Sequence, residues 1–447
     1  MATTDMLIDD VDSEAPALSK DLLRFITAGS VDDGKSTLIG RLLHDAQALM
    51  EDQIDALARA SRRRGQEGLD LSYVTDGLQG EREQGITIDV AYRSFETARR
   101  RFIIADTPGH EQYTRNMVTG ATNADVAVIL VDACKYWLPQ SRRHACVADT
   151  VGIRHLIVAV NKMDLIGYCQ AAFEHIRDEF LDFAARLHFE RVVFIPISAL
   201  QGDMIVDRGA NLPWYEGPTL LEALEEAEVP SAAYGSDQAP LRFPVQWVSR
   251  PGGPGRAGRR GYMGRIVSGS VAAGDEVVIL PSGRVTHVEE IDTYDGVLAR
   301  AHAPQSVTLH FEDDVDVARG DMIVATTQRP TLVNALEATI CWLGSEPMSL
   351  RRRRYLIKHG TKTVAAVLSR PSYRLDITTL ARDTEAATLV LNDIGRVTVR
   401  MQDALPWDPY AVNRATGAFI VIDALTNDTV AAGMIEGPVS DAGVVAS

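Results

Sequence analysis

The chain has 447 residues, 46% hydrophobic and 24% charged, with a formal net charge of −16. That length exceeds what one core usually serves and predicts roughly two to four domains. The negative charge argues against broad binding to nucleic acid or anionic membrane, and no apolar run is long enough to span a bilayer.

Residues 1–20 are acidic and lack the basic and apolar regions of a signal peptide, so they read as a disordered tail. The apolar run at 22–28 predicts a strand, and 37–43 has helical spacing. Between them stand Gly29, Ser30, Val31, Asp32, Asp33, Gly34, Lys35 and Ser36, followed by Thr37. This is the phosphate-cradling pattern G-x-x-x-x-G-K-S in the strand–turn–helix context it needs. Backbone N–H groups of the turn and the helix N-terminus point at an anion. Lys35 can reach β- and γ-phosphates, and the Ser36 hydroxyl can bind Mg²⁺.

Next comes REQGITID (82–89), in which Thr87 sits at a switch position. Its hydroxyl can join the Mg²⁺ when a γ-phosphate orders the loop. The strand at 101–106 ends in DTPGH. Asp106 suits a carboxylate that holds Mg²⁺ through water. Pro108 and Gly109 follow, and Gly109 lets a backbone N–H approach the γ-phosphate. His110 stands where a side chain can orient the attacking water. The expected catalytic set is therefore His110, Lys35 and Thr87, and the expected Mg²⁺ set is Ser36, Thr87 and Asp106.

Further apolar strands are predicted at 126–132, 155–162 and 192–198, with helices between them, which gives a mostly parallel sheet covered on both faces. The strand at 155–162 runs into Asn161, Lys162, Met163 and Asp164. Asp164 can accept both N1–H and the exocyclic amine of guanine, Asn161 can bond another edge, and the Lys162 stem can lie across the nucleotide. Ser198, Ala199 and Leu200 follow the next strand and can meet the guanine carbonyl through their backbone. A site built on such bonds rejects bases that leave its polar groups unpaired. The nucleotide expected is GTP.

A linker at 229–240, rich in small and turn residues, ends this pattern. Short strands between glycine turns follow at 241–248, 261–267, 275–281 and 284–291, and read as a small antiparallel barrel. A second β-rich block has strands at 338–343, 363–368, 387–392, 396–401 and 417–423. The expected division is a tail (1–20), a P-loop GTPase domain (21–230), a linker (231–240) and two β-barrel domains (241–330 and 331–447). The basic segment 251–261 reads as a solvated hairpin tip, and Arg351–Arg354 as a charged strand edge. Cys134, Cys146, Cys169 and Cys341 have no metal-ligand spacing and read as buried thiols of a reducing cytoplasm.

With these motifs in this order, the chain resembles the translation-factor superfamily of GTPases over nearly its whole length. Within it, residues 30–43, 76–93, 102–117 and 408–435 resemble the large GTPase subunit of sulfate adenylyltransferase. Asp33 stands where elongation factors usually carry histidine. The resemblance implies that GTP hydrolysis drives ATP and sulfate to adenylyl sulfate and pyrophosphate. It also implies that the adenylyl transfer occurs on a small partner subunit, which holds ATP and sulfate. Neither nucleic acid nor membrane is expected as a partner. Many relatives add an adenylyl-sulfate kinase domain with its own P-loop. This sequence shows no second P-loop, so that activity is not expected. Tyr136 and Trp137 stand where a small residue is usual, and either pack internally or widen a partner surface. The main alternative is a tRNA-carrying elongation factor; another is a GTPase switch with no role in sulfur.

Overall fold

The computed structural model describes residues 20–63, 69–74, 89–110, 113–135, 139–228, 238–249, 260–349, 353–377 and 379–439. The acidic tail, Thr87, Tyr136, Trp137, most of the linker, residues 251–259 and Arg351–Arg352 therefore lie outside the described residues.

Six strands build the first sheet: β1 (Leu22–Ala28), β2 (Ala91–Glu96), β3 (Arg101–Asp106), β4 (Val126–Asp132), β5 (His155–Asn161) and β6 (Arg191–Pro196). Their order is β2-β3-β1-β4-β5-β6, with only β2 antiparallel to its neighbour. β4 is buried at every position, as a strand covered on both faces must be. β2 and β3 lie on one side of β1, and β4 crosses to the other. Such a reversal leaves a crevice at the carboxyl end of the strand, where residues 29–37 begin. Strand β2 escaped the sequence reading. Its segment AYRSFE is largely open to solvent and buries Phe95 alone, so it lacks an apolar run.

The two β-rich blocks each close into a barrel. In the first, β7 (Arg242–Ser249), β8 (Gly261–Arg265), β9 (Glu276–Leu280), β10 (Arg284–Thr293), β11 (Ser306–Phe311) and β12 (Met322–Ala325) pair round a full circuit. In the second, the circuit runs through β13 (Thr331–Trp342), β14 (Tyr355–His359), β15 (Lys362–Leu368), β16 (Ile394–Trp407), β17 (Ala418–Asp423) and β18 (Thr429–Pro438). Closure removes the exposed edges an open sheet would present.

Two expectations fail here. Residues 387–392 form no strand. Leu389 is fully buried, its carbonyl accepts from Met348 N–H, and Asn392 donates to the Trp342 carbonyl from a left-handed φ of 70°. The run is a loop that buries Leu389, leaves Val390 and Leu391 exposed and is stitched to neighbouring segments. Of the four cysteines, Cys146 and Cys341 are buried but Cys134 and Cys169 are exposed. Both exposed thiols sit in connections after strands, where chain runs over the surface.

The second barrel is the hub. Cys341, Leu343 and Ile394 belong to the same continuous core as the first sheet and its helices. Tyr410 donates to the Val151 carbonyl (2.7 Å), and Arg414 Nη1 to that of Ala124 (3.0 Å). The two barrels meet at a buried pair in which Arg242 Nε and Nη2 each lie 2.8 Å from a carboxylate oxygen of Asp408. The Thr416 hydroxyl also donates to Asp408 (2.7 Å). Burial pushes the Asp408 carboxyl up, but these donors hold it below the usual carboxylate range. Among the described residues, no helix is long and apolar enough to cross a membrane.

Candidate nucleotide site

The loop after β1 turns tightly, with Asp32 and Gly34 in left-handed backbone at φ 67° and 92°. Only glycine adopts the second without strain, and a Cβ on Gly34 would also press on the Asn161 amide. The helix α1 (Lys35–Asp45) then starts with no side-chain cap and no acid in its first turn. Its first N–H groups and its positive dipole end are thus available to an anion. Ser30 Oγ and Asp33 Oδ1 are buried without a hydrogen-bond partner. This donor-rich, glycine-built cradle fits a phosphate chain.

Lys35 is buried, and its ammonium donates to the carbonyls of Gly29 (2.9 Å) and Ser30 (2.8 Å). Burial pulls its pKa down, and the nearby Asp106, Asp33 and Asp32 resist that. Asp33 is 1% exposed; one carboxylate oxygen accepts from Ser30 N–H at 2.6 Å, which pins the turn. Burial raises the Asp33 pKa, against the pull of Lys35.

Strand β3 delivers Asp106 beside this loop. The Thr27 hydroxyl donates to Asp106 Oδ1 (3.2 Å), and the Thr107 hydroxyl donates back to the Thr27 carbonyl (2.6 Å). Neighbouring strand ends are thereby locked together. Pro108 is buried and Gly109 packs on the loop: a Cβ there would collide with Lys35 Nζ and the Gly29 carbonyl. His110 is exposed beyond it, its ring 6.0 Å from that of Tyr113 in an edge contact.

The residues expected to select the base arrive from β5 and β6. Asn161 Nδ2 donates to the Asp33 carbonyl (2.7 Å), and its Oδ1 accepts from Ala199 N–H (2.9 Å). One buried amide thus ties the phosphate loop to the segment at 198–200. Ser198 donates its hydroxyl to Asp164 Oδ1 (2.7 Å), and so orients that carboxylate. Leu200 is 62% exposed. Lys162, in left-handed backbone at φ 66°, extends to Asp132 Oδ2 at 2.8 Å. Burial pushes the Asp132 carboxyl up, but the Lys162 hydrogen bond, the Cys134 N–H and the charges of Lys162 and Lys135 together hold it below the usual carboxylate range.

This geometry agrees with what the chain is similar to. A family model described as the elongation factor Tu GTP binding domain matches residues 20–230, and one described as GTP-eEF1A C-terminal domain-like matches 335–436. The sulfate adenylyltransferase subunit 1 of Alteromonas mediterranea is 49% identical over 420 residues, 93% of this chain and 87% of that one. The protein of the same name from Saccharophagus degradans is 47% identical over 97% of this chain and 90% of its own. The chain belongs to the sulfate adenylyltransferase subunit 1 family. A bifunctional enzyme CysN/CysC of Mycobacterium tuberculosis is 52% identical over 93% of this chain and 67% of that one. A solved structure of sup35 with GMPPNP aligns over 97% of this chain at 22% identity with a TM-score of 0.43, too loose a likeness to argue from.

Residues 29–37, 106–110, 161–164 and 198–200 come from separate stretches of the chain. The fold gathers them at the carboxyl ends of β1, β3, β5 and β6. Two residues of the site escaped the sequence reading. Asp132 anchors Lys162, and Arg41 Nη2 donates to the Leu200 carbonyl at 2.7 Å. Asp132 was findable: it closes the apolar run VAVILVD just as Asp106 closes RFIIAD. Arg41 carried no signal, being one basic residue on an amphipathic helix.

Proposed function

We propose that this chain is the GTPase subunit of a sulfate adenylyltransferase, in which GTP hydrolysis drives ATP and sulfate to adenylyl sulfate and pyrophosphate. The observation that carries this is the 49% identity to a sulfate adenylyltransferase subunit 1 across nearly the whole chain. The phosphate loop is complete within it and lies beside guanine-selecting residues. The division at 21–230, 241–330 and 331–447 is part of the proposal, as are the roles of the site residues. In that reading Gly29–Thr37 cradle the phosphates and Lys35 leaves its loop carbonyls for the β- and γ-oxygens. Asp164 takes the guanine edge, and Ser198, Ala199 and Leu200 close over the base. Ser36, Thr87 and Asp106 would hold Mg²⁺, which neutralises charge developing on the phosphates. His110 orients the attacking water.

Linking the two reactions needs a partner that senses the GTP state. Forming a phosphosulfate anhydride from ATP is uphill, and a second hydrolysis must be tied to it. The sequence shows one P-loop motif, assigned here to GTP, so the ATP and sulfate that react are assigned to a small adenylyltransferase subunit. A cytoplasmic complex of the two is the expected form.

The deciding experiment is co-purification with that small subunit, followed by an adenylyl sulfate assay with and without GTP. Synthesis should require both chains and rise with GTP. His110→Ala should slow GTP hydrolysis far more than it weakens GTP binding, because the water is positioned mainly in the transition state. Adenylyl sulfate made by this chain alone would refute the division of labour. A GTP-dependent complex with charged tRNA, and none with the small subunit, would move the chain to the elongation-factor branch.

A further inference from the structure

A cavity of about 580 Å³ opens where the GTPase unit and both barrels meet. The GTPase unit contributes Arg24 and Asp125, the first barrel Arg265, and the second barrel Lys358, Asn413 and Arg414. The described lining thus holds four cationic side chains against the single carboxylate of Asp125. That concentration is unexpected in a chain of formal charge −16. Asp125 is partly spent as well, since its Oδ2 accepts from the Arg24 N–H at 2.9 Å.

The cations are held in place. Arg414 Nη1 donates to the Ala124 carbonyl (3.0 Å), and Arg265 Nε to that of Pro304 (3.1 Å). Each guanidinium carries five N–H donors, so most of each fork is left for a ligand. A second observation points the same way. Asn413 is 3% exposed, and its Oδ1 accepts from the backbone N–H of Ala415 (3.0 Å) and Thr416 (3.4 Å), which fixes the orientation of the amide. Its Nδ2 is then a buried donor with no partner in the protein. A buried polar group left unpaired is costly and calls for an acceptor.

We infer that this junction cavity binds a small molecule bearing a phosphate or sulfate oxyanion, with Asn413 Nδ2, Lys358, Arg265 and Arg414 as its donors. The site is separate from the nucleotide site. None of residues 29–37 lines it, and Arg24 stands on the opposite half of β1 from the phosphate loop. Because its walls come from all three units, the ligand is held only while they are docked. Its binding therefore reports on, and favours, the closed arrangement.

The test uses the full chain saturated with GDP, so that the phosphate loop is already filled. Inorganic pyrophosphate and, separately, adenosine monophosphate are titrated by calorimetry. Saturable binding of pyrophosphate alone identifies an inorganic oxyanion; binding of the monophosphate as well identifies an organic one. Either supports the site if two variants weaken it. Asn413→Asp keeps an oxygen for the backbone donors and replaces the Nδ2 donor with a repelling carboxylate. Lys358→Glu changes an exposed residue, and so keeps the test informative if the first variant folds poorly. Each should lower affinity by about tenfold or more, as expected for losing a charged or buried hydrogen bond, while GDP affinity stays unchanged. No saturable binding of either probe, or equal binding by both variants, would overturn the assignment.

Discussion

Ser198 donates its hydroxyl to Asp164 Oδ1 at 2.7 Å and so holds that carboxylate. A carboxylate so oriented accepts two donors from one base edge, and an amide cannot. Asp164→Asn should weaken GTP binding by about 1–3 kcal/mol and shift preference to xanthosine triphosphate, whose 2-oxo group accepts from an amide. A competition titration with both nucleotides checks this; unchanged GTP affinity would exclude the role. His144 makes a different residue-scale prediction. It is 1% exposed, and its Nε2 faces the Gln140 amide at 3.0 Å. Burial, with help from Lys35 and Arg143, lowers its pKa to about 3. The folded state therefore binds fewer protons than the unfolded one between about pH 3 and 6.5. Stability should fall by up to about 1.4 kcal/mol per pH unit as pH drops through that window. His144→Leu should flatten this acid limb in denaturant titrations run at several pH values. The motif residues were legible in the sequence because their spacing is set by phosphate and base geometry. His144 was not, because a single histidine has no spacing to betray it; Asp132 was legible only by its place at the end of an apolar strand.

Elements differ in how loudly their sequences speak. β1, β3, β4 and β5 are buried runs of Val, Ile, Leu and Phe, and their extents could be read to within about two residues. β2 could not, because an edge strand with one buried side chain has no period to detect. The run at 387–392 misled in the opposite sense. Of that run only Leu389 is buried, and its carbonyl and the Asn392 N–H bond to neighbouring loop and strand-end groups instead of to a ladder, so an apolar stretch need not be a strand. The turn from β1 to α1 carries its own prediction. Gly34→Ala puts a side chain at φ 92° and against the Asn161 amide that bridges to Asp33 and Ala199. Backbone strain alone costs roughly 1–2 kcal/mol, and the shifted amide releases two loops at once. The melting temperature and the GDP affinity should both drop. A variant with wild-type values in both would show that the turn adapts.

Across the whole molecule, the barrels are joined by a charged pair with little access to water. Side-chain exposure is 3% for Arg242 and 10% for Asp408. Removing one partner leaves a buried charge, so Asp408→Ala should cost about 3–5 kcal/mol, whereas Arg242→Leu with Asp408→Leu together should cost far less. Equilibrium denaturation of the three proteins checks both values; a double variant as unstable as the single one would mean that packing, and not charge, holds the joint. That two barrels follow an α/β unit was legible from the change in strand length and glycine spacing. Their mutual arrangement was not, since Arg242 and Asp408 lie 166 positions apart and neither belongs to a motif.

The core shared between the first sheet and the second barrel also has a history in time. Synthesis runs from the N-terminus, so Cys146 and its helix (Pro139–Thr150) are complete long before Cys341, Leu343 and Ile394 leave the ribosome. Until then, the surface destined to meet the second barrel faces water or a chaperone. The first barrel, which has an apolar core of its own, is made in that interval and can fold meanwhile. The nascent GTPase unit must therefore wait, one face uncovered, for the last quarter of the chain to emerge.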